Sequence, residues 1–167
     1  MSRRPTAKRR KLIEELDRQN RRTGSVGAMH SRAIAGRAGL NDTDFECIDV
    51  LDWTGPITAG ELGRRVGVTS GAVTGVLDRL ERGGWVRRTA DPTDRRRVIV
   101  ELCPLGPDGP NPERYKGMAE AFAPLQRDIE FIIDDLTDDQ LETIVEYLRA
   151  SSDAVERSIE RMRRRGS

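Results

Sequence analysis

Apolar residues recur every three to four positions through most of the chain, and that period predicts helices. Leu12, Ile13 and Leu16, continued more weakly by Val26, Met29, Ala33 and Ile34, mark a long first helix over 7–37. Gly24 and Gly27 fall inside it and are expected to bend or interrupt it, at about 1 kcal/mol each relative to alanine. Gly39 ends it. Three shorter helices follow. Thr43 and Glu46 stand at capping-box spacing at the start of a helix carrying Phe45, Ile48 and Leu51. After the break at Gly55-Pro56, Thr58 and Glu61 repeat that spacing and open a helix over 58–66. Thr69 or Ser70 caps the next, 69–82, whose stripe is Val73, Val76, Leu77 and Leu80 and which Gly83-Gly84 terminates.

The pattern then changes. Trp85–Thr89 and Val98–Val100 read as strands on either side of the turn Asp91-Pro92-Thr93-Asp94, so 85–102 is expected to be a β-hairpin with an arginine-rich return side. The Pro- and Gly-rich segment CPLGPDGPNPE, 103–113, is a loop. Asn111-Pro112 supplies a cap and a first helical residue for a helix from about 112 to 135, expected to kink near Pro124. Thr137 and Gln140 form a further capping box, opening a helix with Leu141, Ile144, Val145, Leu148, Val155 and Ile159 on one face. The fold class is mostly α with a small β-hairpin, in the order α-α-α-α-β-β-α-α. Residues 41–102 form a self-contained middle, flanked by an N-terminal helix, 1–40, and C-terminal helices, 103–167, whose apolar faces must be buried on something.

Charge changes the picture through its distribution. The 167 residues carry a net charge of only +1. Residues 1–40 nevertheless hold 11 Lys/Arg against 3 Asp/Glu, and residues 106–150 hold 4 against 11. No apolar run reaches the roughly 18 residues of a membrane span. The basic start MSRRPTAKRRK lacks a following apolar region, which argues against a secretory leader. Cys47 and Cys103 are far apart and suit a cytoplasmic protein better than a disulfide scaffold. One histidine and no Cys pair at metal spacing argue against structural zinc, and no cofactor motif is present. The acids Asp134, Asp135, Asp138 and Asp139 straddle a helix end and the next helix start, where they suit the helix dipole. No nucleophile–base pair or phosphate loop accompanies them, so the chain reads as a non-enzyme.

Two short helices joined by the tight turn Val66-Gly67-Val68 can place the second in a DNA major groove. Its polar face carries Ser70, Gly71, Thr74, Gly75, Asp78 and Arg79, and hydroxyls there can bond bases or phosphates. A helix-turn-helix followed directly by a hairpin bearing Arg95, Arg96 and Arg97 is a winged helix. Arginines at a wing tip suit the negative potential of a narrow minor groove. Thr58, at the start of the first helix of the pair, joins the residues expected to meet DNA.

Residues 40–102 resemble the MarR family of winged-helix transcription factors, through GLNDTDFECIDVL, ITAGELGRRVGVTSGAVTGVLDRLERGGWVRR and DPTDRRRVIVEL. The resemblance implies a homodimer whose N-terminal and last two helices interlock with those of a second copy, and that would cover the apolar faces at 12–34 and 141–159. It further implies a repressor on a pseudo-palindromic duplex, contacted through Ser70, Gly71, Thr74 and Arg79 and through Arg95 or Arg96 of the wing, with Asp94 holding the wing arginine or the recognition helix in place. Gly75 departs from the larger polar residue that is frequent there. Together with Gly71, it shifts expected recognition toward phosphate contacts, close backbone approach and the wing. The resemblance also implies release by a small aromatic or phenolic effector, for which Met29, His30 and Trp53 are candidate lining residues. Two alternatives stand beside this reading: a redox-sensing regulator using Cys47, and a winged helix used for protein contacts only.

Overall fold

The computed structural model describes residues 6–94, 96–104 and 112–165. The chain divides into two compact units, Met1–Phe122 and Ala123–Ser167. In the first, α1 (Ala7–Ala38) is an unbroken helix, capped by Thr6 and ended by Gly39 in the left-handed conformation at φ 66°. Gly24 and Gly27 do not interrupt it, because the intrahelical ladder outweighs a propensity cost of about 1 kcal/mol per glycine. The helix α2 (Asp42–Thr54) starts earlier than the Thr43–Glu46 box suggests. Its cap is Asn41, whose Oδ1 accepts from the Asp44 amide at 2.8 Å while its Nδ2 donates to the Asp44 carboxylate. An asparagine cap is at least as good as threonine, and it wins here.

The pair α3 (Ala59–Val66) and α4 (Ser70–Arg82) is capped by Thr58 and Thr69. Strand β2 (Val86–Ala90) pairs antiparallel with β3 (Val98–Leu102), in the register Val86↔Leu102 to Ala90↔Val98. The hairpin is therefore present, one residue out of phase at its first strand. A short strand β1 (Ile57–Thr58) adds to the other edge of β3, giving the order β1-β3-β2. Two residues carry no readable strand period, so this third strand escapes sequence reading; it ties the start of α3 to the wing.

The core of this unit is formed by Cys47, Leu51, Leu62, Val73, Val76, Leu77, Leu80, Trp85, Val86 and Val100. Ile34, Ala35 and Phe45 form a neighbouring cluster closed by Met118, Ala121 and Phe122 of α5 (Pro112–Asp134). The expected cap Asn111 and most of the loop 103–113 lie outside the described residues. Helix α5 continues through Pro124, and the division between the units falls one residue before that proline.

In the second unit, α6 (Asp138–Arg165) opens with the expected box. The Thr137 amide donates to Gln140 Oε1 at 2.8 Å, and the Gln140 amide donates to Thr137 Oγ1 at 3.4 Å. Ile144, Val145, Leu148, Val155 and Ile159 stand exposed along α6, as do Leu12, Ile13 and Leu16 along α1. No helix among the described residues is long and apolar enough to cross a membrane.

Candidate nucleic-acid interface

The α3–α4 turn is tight because two glycines permit it. Gly67 takes φ 81°, and the amides of Gly67 and Val68 both donate to the Gly63 carbonyl at 2.9 Å. Gly63 is buried, and a Cβ there would stand 3.3 Å from Val73 Cβ, so the backbone of α3 lies directly against the Val73 side chain of α4. Burial of Val73, Val76, Leu77 and Leu80 fixes the roll of α4. The roll leaves Ser70, Gly71 and Thr74 exposed and Gly75 half-buried. Thr74 Oγ1 donates back to the Ser70 carbonyl at 3.2 Å, which holds its hydroxyl close to the helix surface.

Arg79 is less free than a solvent-facing arginine. Its Nε and Nη2 donate to the two oxygens of Asp44, at 3.1 and 2.7 Å. The Asp44 carboxylate comes from α2, is only 4 % exposed and holds the guanidinium pKa up through hydrogen bonding and charge. With Gly71, Gly75 and the α2 start, Arg79 lines a groove of about 750 Å³. The other flank of α4 is tied to the wing. Arg88 of β2 pairs with Asp78 at 2.8 Å and with Glu81, to which its backbone amide also donates at 3.2 Å. Hydrogen bonds from Arg88 hold the Glu81 carboxyl below its usual range.

The wing turn is built on Asp91, a residue the sequence reading treats only as turn chemistry. Its Oδ1 accepts from the Thr93 hydroxyl and amide, both at 2.7 Å, and from the Asp94 amide at 3.3 Å. The Thr93 hydroxyl, its amide and then the Asp94 amide and the Arg97 charge keep the Asp91 carboxyl acidic despite its burial. Asp94 accepts from the Arg96 amide at 3.1 Å and lies 3.4 Å from Arg97 Nε. It thus orders the arginine-bearing turn, and among the described residues it makes no hydrogen bond or ion pair with α4. Arg95 lies outside the described residues. Arg96 and Arg97 are exposed and, with Thr58, Gly60, Glu61 and Arg64, line a groove of about 520 Å³ between the start of α3 and the wing base. Three of the expected DNA contacts therefore share one surface. Arg64 belongs there too, but its bonds to Glu61 at 2.6 and 2.9 Å, an ordinary i,i+3 spacing, carry no sequence signal beyond a helix pair.

The remaining candidates are dispersed. Met29 is exposed on α1, His30 meets Phe122 edge-on at 5.8 Å, and Trp53 lies under the Arg65 guanidinium at 5.1 Å. A separate groove of about 320 Å³ between α1 and α2 is lined by Phe45, Arg32 and three acids, Asp42, Glu46 and Asp49. Partial burial and neighbouring acids push the Glu46 and Asp49 carboxyls up. Cys47 is fully buried, and burial, then the charges of Asp44 and Glu46, push its thiol up to about 12. Thiolate is therefore scarce near neutral pH, as suits a packing residue. Among the described residues, no group of three or more His, Cys, Asp or Glu side chains is placed to hold a metal.

A family model described as the MarR family matches residues 40–98. The HTH-type transcriptional regulator YcgE of Bacillus subtilis is 34% identical over 143 residues, which cover 86% of this chain and 88% of that protein. The multiple antibiotic resistance protein MarR of Salmonella typhimurium is 41% identical over 67 residues, 40% of this chain and 46% of that protein. Among solved structures, a MarR family protein from Bacillus stearothermophilus has a TM-score of 0.57 at 20% identity, covering 88% of this chain and 97% of its own. The transcriptional regulator Tm0710 from Thermotoga maritima has a TM-score of 0.55 at 24% identity, with 88% and 98% covered. Both structures bear on the fold alone.

Proposed function

Since the chain belongs to the MarR family of transcriptional regulators, we propose that it is a homodimeric, cytoplasmic repressor. In this reading it binds a pseudo-palindromic DNA duplex and is released by a small aromatic, phenol-like effector. The observation that carries the reading is the shared surface of the α3 start and the wing, where Thr58, Arg96 and Arg97 line one groove. Ser70, Gly71, Thr74 and Arg79 enter the major groove, while Arg95, Arg96 and Arg97 meet the backbone or minor groove, shaped by Asp94. Residues 41–102 are the DNA-binding part, and 1–40 with 103–167 the dimerisation part. The exposed apolar stripes of α1 and α6 support a second copy as their cover. Two copies related by a two-fold axis place their recognition helices about one helical turn apart. The effector reading rests on Met29, Trp53 and the aromatic contact of His30 with Phe122.

The test is a fluorescence-anisotropy titration of full-length protein on duplex DNA from upstream of its own coding sequence. Wild-type protein should bind in preference to scrambled duplex, and added phenols should weaken that binding. Arg96→Ala should weaken it and lower the salt slope by about 1 per wing. No binding by wild type, or unchanged affinity and slope in Arg96→Ala, would overturn the reading.

A further inference from the structure

The pairing of Arg79 with Asp44 uses only one edge of the guanidinium. Nε and one N–H of Nη2 face the carboxylate. That leaves both N–H groups of Nη1 and the second of Nη2, so a parallel pair of donors lies along the adjoining, end-on edge. No hydrogen bond among the described residues uses Nη1. Gly75 lies beside this edge: a Cβ there would stand in ordinary contact with Nη1, at 3.9 Å, and only a longer side chain would reach over it. One turn earlier, a Cβ at Gly71 would meet nothing within 4 Å. The carboxylate is itself held in place, since Asn41 Nδ2 donates to Asp44 Oδ2 at 3.0 Å and Asn41 Oδ1 accepts from the Asp44 amide. A cap on α2 thereby orients a carboxylate, and the carboxylate orients an arginine of α4.

We propose that Arg79 reads a guanine through this free edge, donating to O6 and N7 in the major groove, with Asp44 as its positioning residue. The inference rests on the DNA-binding reading above and adds to it the base that α4 recognises. Two parallel donors match guanine alone among base-pair edges, because adenine offers an acceptor beside a donor. A guanidinium already immobilised by a buried carboxylate loses little freedom on contact. The glycines of α4 let the base edge come close to that arginine. A phosphate could also accept two donors, and the experiment separates the two.

Full-length wild-type, Arg79→Lys, Asp44→Asn and Gly75→Leu proteins are each used to select from a pool of random duplexes, and base preferences are compared position by position. Wild type should favour guanine at one position per half-site. Arg79→Lys keeps the charge and loses the fork, and should cut that preference by about tenfold while other positions keep theirs. Asp44→Asn removes a negative charge, so its affinity for non-specific duplex should stay level or rise while the same guanine preference falls; a merely structural role would not split the two. Gly75→Leu leaves the ion pair and fold in place, as thermal melting would verify, and should lose the same preference even if Asp44→Asn fails to fold. A uniform loss across sequences with a lower salt slope would mark a phosphate contact and overturn the proposal, as would guanine preference unchanged in Arg79→Lys and Gly75→Leu. Absence of any DNA binding by wild type would overturn the DNA-binding reading and this proposal with it.

Discussion

The backbone amide of Asp91 donates to the carbonyl of Arg97 at 3.1 Å, closing the base of the wing loop. The Asp91 side chain turns inward beneath the same loop, where its Oδ1 collects three donors from Thr93 and Asp94. One residue thus supplies both the last rung of the hairpin and the scaffold of its turn. Asp94 and the exposed Arg96 are presented on that scaffold.

Asp91→Asn is expected to loosen the wing. The amide oxygen can still accept, but it lacks the charge that makes bonds to a carboxylate about twice as strong as neutral ones. DNA affinity should fall while the melting temperature moves little, because Leu80, Val86 and Val100 of the core are untouched. The pH dependence has a defined sign. The folded pKa of Asp91 is depressed, so its contribution is present above the ordinary carboxylate value of about 4 and is lost as pH falls through the lower folded value. Amide hydrogen exchange at Thr93 and Asp94 against pH would report this, and protection that is indifferent to acid would refute it.

Leu148 on α6 is 55% exposed in the single chain. If a second copy covers this face, Leu148→Glu should raise the dimer dissociation constant by roughly two to three orders of magnitude, since each of two symmetric leucines loses about 2 kcal/mol of burial. Sedimentation at micromolar concentration should show a dimer for wild type and a monomer for the variant. A wild-type monomer, or a variant dimer of unchanged strength, would remove α6 from the interface.

Gly83→Ala should destabilise the fold. Its Cβ would fall 2.9 Å from Cδ1 of Trp85, a buried ring that has no room to swing. Overpacking of this kind costs about 1–3 kcal/mol, or about 2–4 °C of melting temperature per kcal/mol in a chain of this size. Gly71→Ala is the contrast: its Cβ meets nothing within 4 Å, so improved helix propensity should leave stability level or raise it by up to about 1 kcal/mol. Thermal melts of the two variants should therefore move apart.

Cys103, half-buried at the exit of β3, should react with a thiol reagent before the buried Cys47 does. Cys47 should modify only as the protein opens. Its folded pKa is raised from 9.0 to about 12. The stability it contributes is therefore fully present below pH 9 and erodes as pH climbs from there toward 12. Fast labelling of Cys47 in native protein at neutral pH would contradict this placement.

Local rules were legible wherever the partners lie within a few residues. The Thr137–Gln140 box, the Thr58 cap and the apolar stripe of α4 all follow from spacing, and the structure has each of them; at α4 spacing offered Thr69 or Ser70, and the structure uses Thr69. Cap choice at α2 was harder. Asn41 and Thr43 are both adequate caps two residues apart, and the hydrogen bonds of Asn41 with Asp44 select the earlier one. Strand β1 is two residues long and exists because β3 offers it an edge. Asp44 falls on the inward face of α2 beside Phe45, Cys47 and Ile48, and a carboxylate on an apolar stripe signals a cationic partner without naming it.

Sequence alone was sufficient for the helix-turn-helix and the hairpin, because helical period, caps and turn residues act over three or four positions, within reach of a linear reading. The partner of Arg79 was a matter for the folded chain. Thirty-five residues separate it from Asp44, and only the packing of α2 on α4 brings the two to 2.7 Å. The same holds for Thr58, Arg96 and Arg97, which share a groove because β1 pairs with β3. Contacts of this kind are fixed by how elements pack, and packing depends on the joint shape of many side chains, which no local pattern of one chain records.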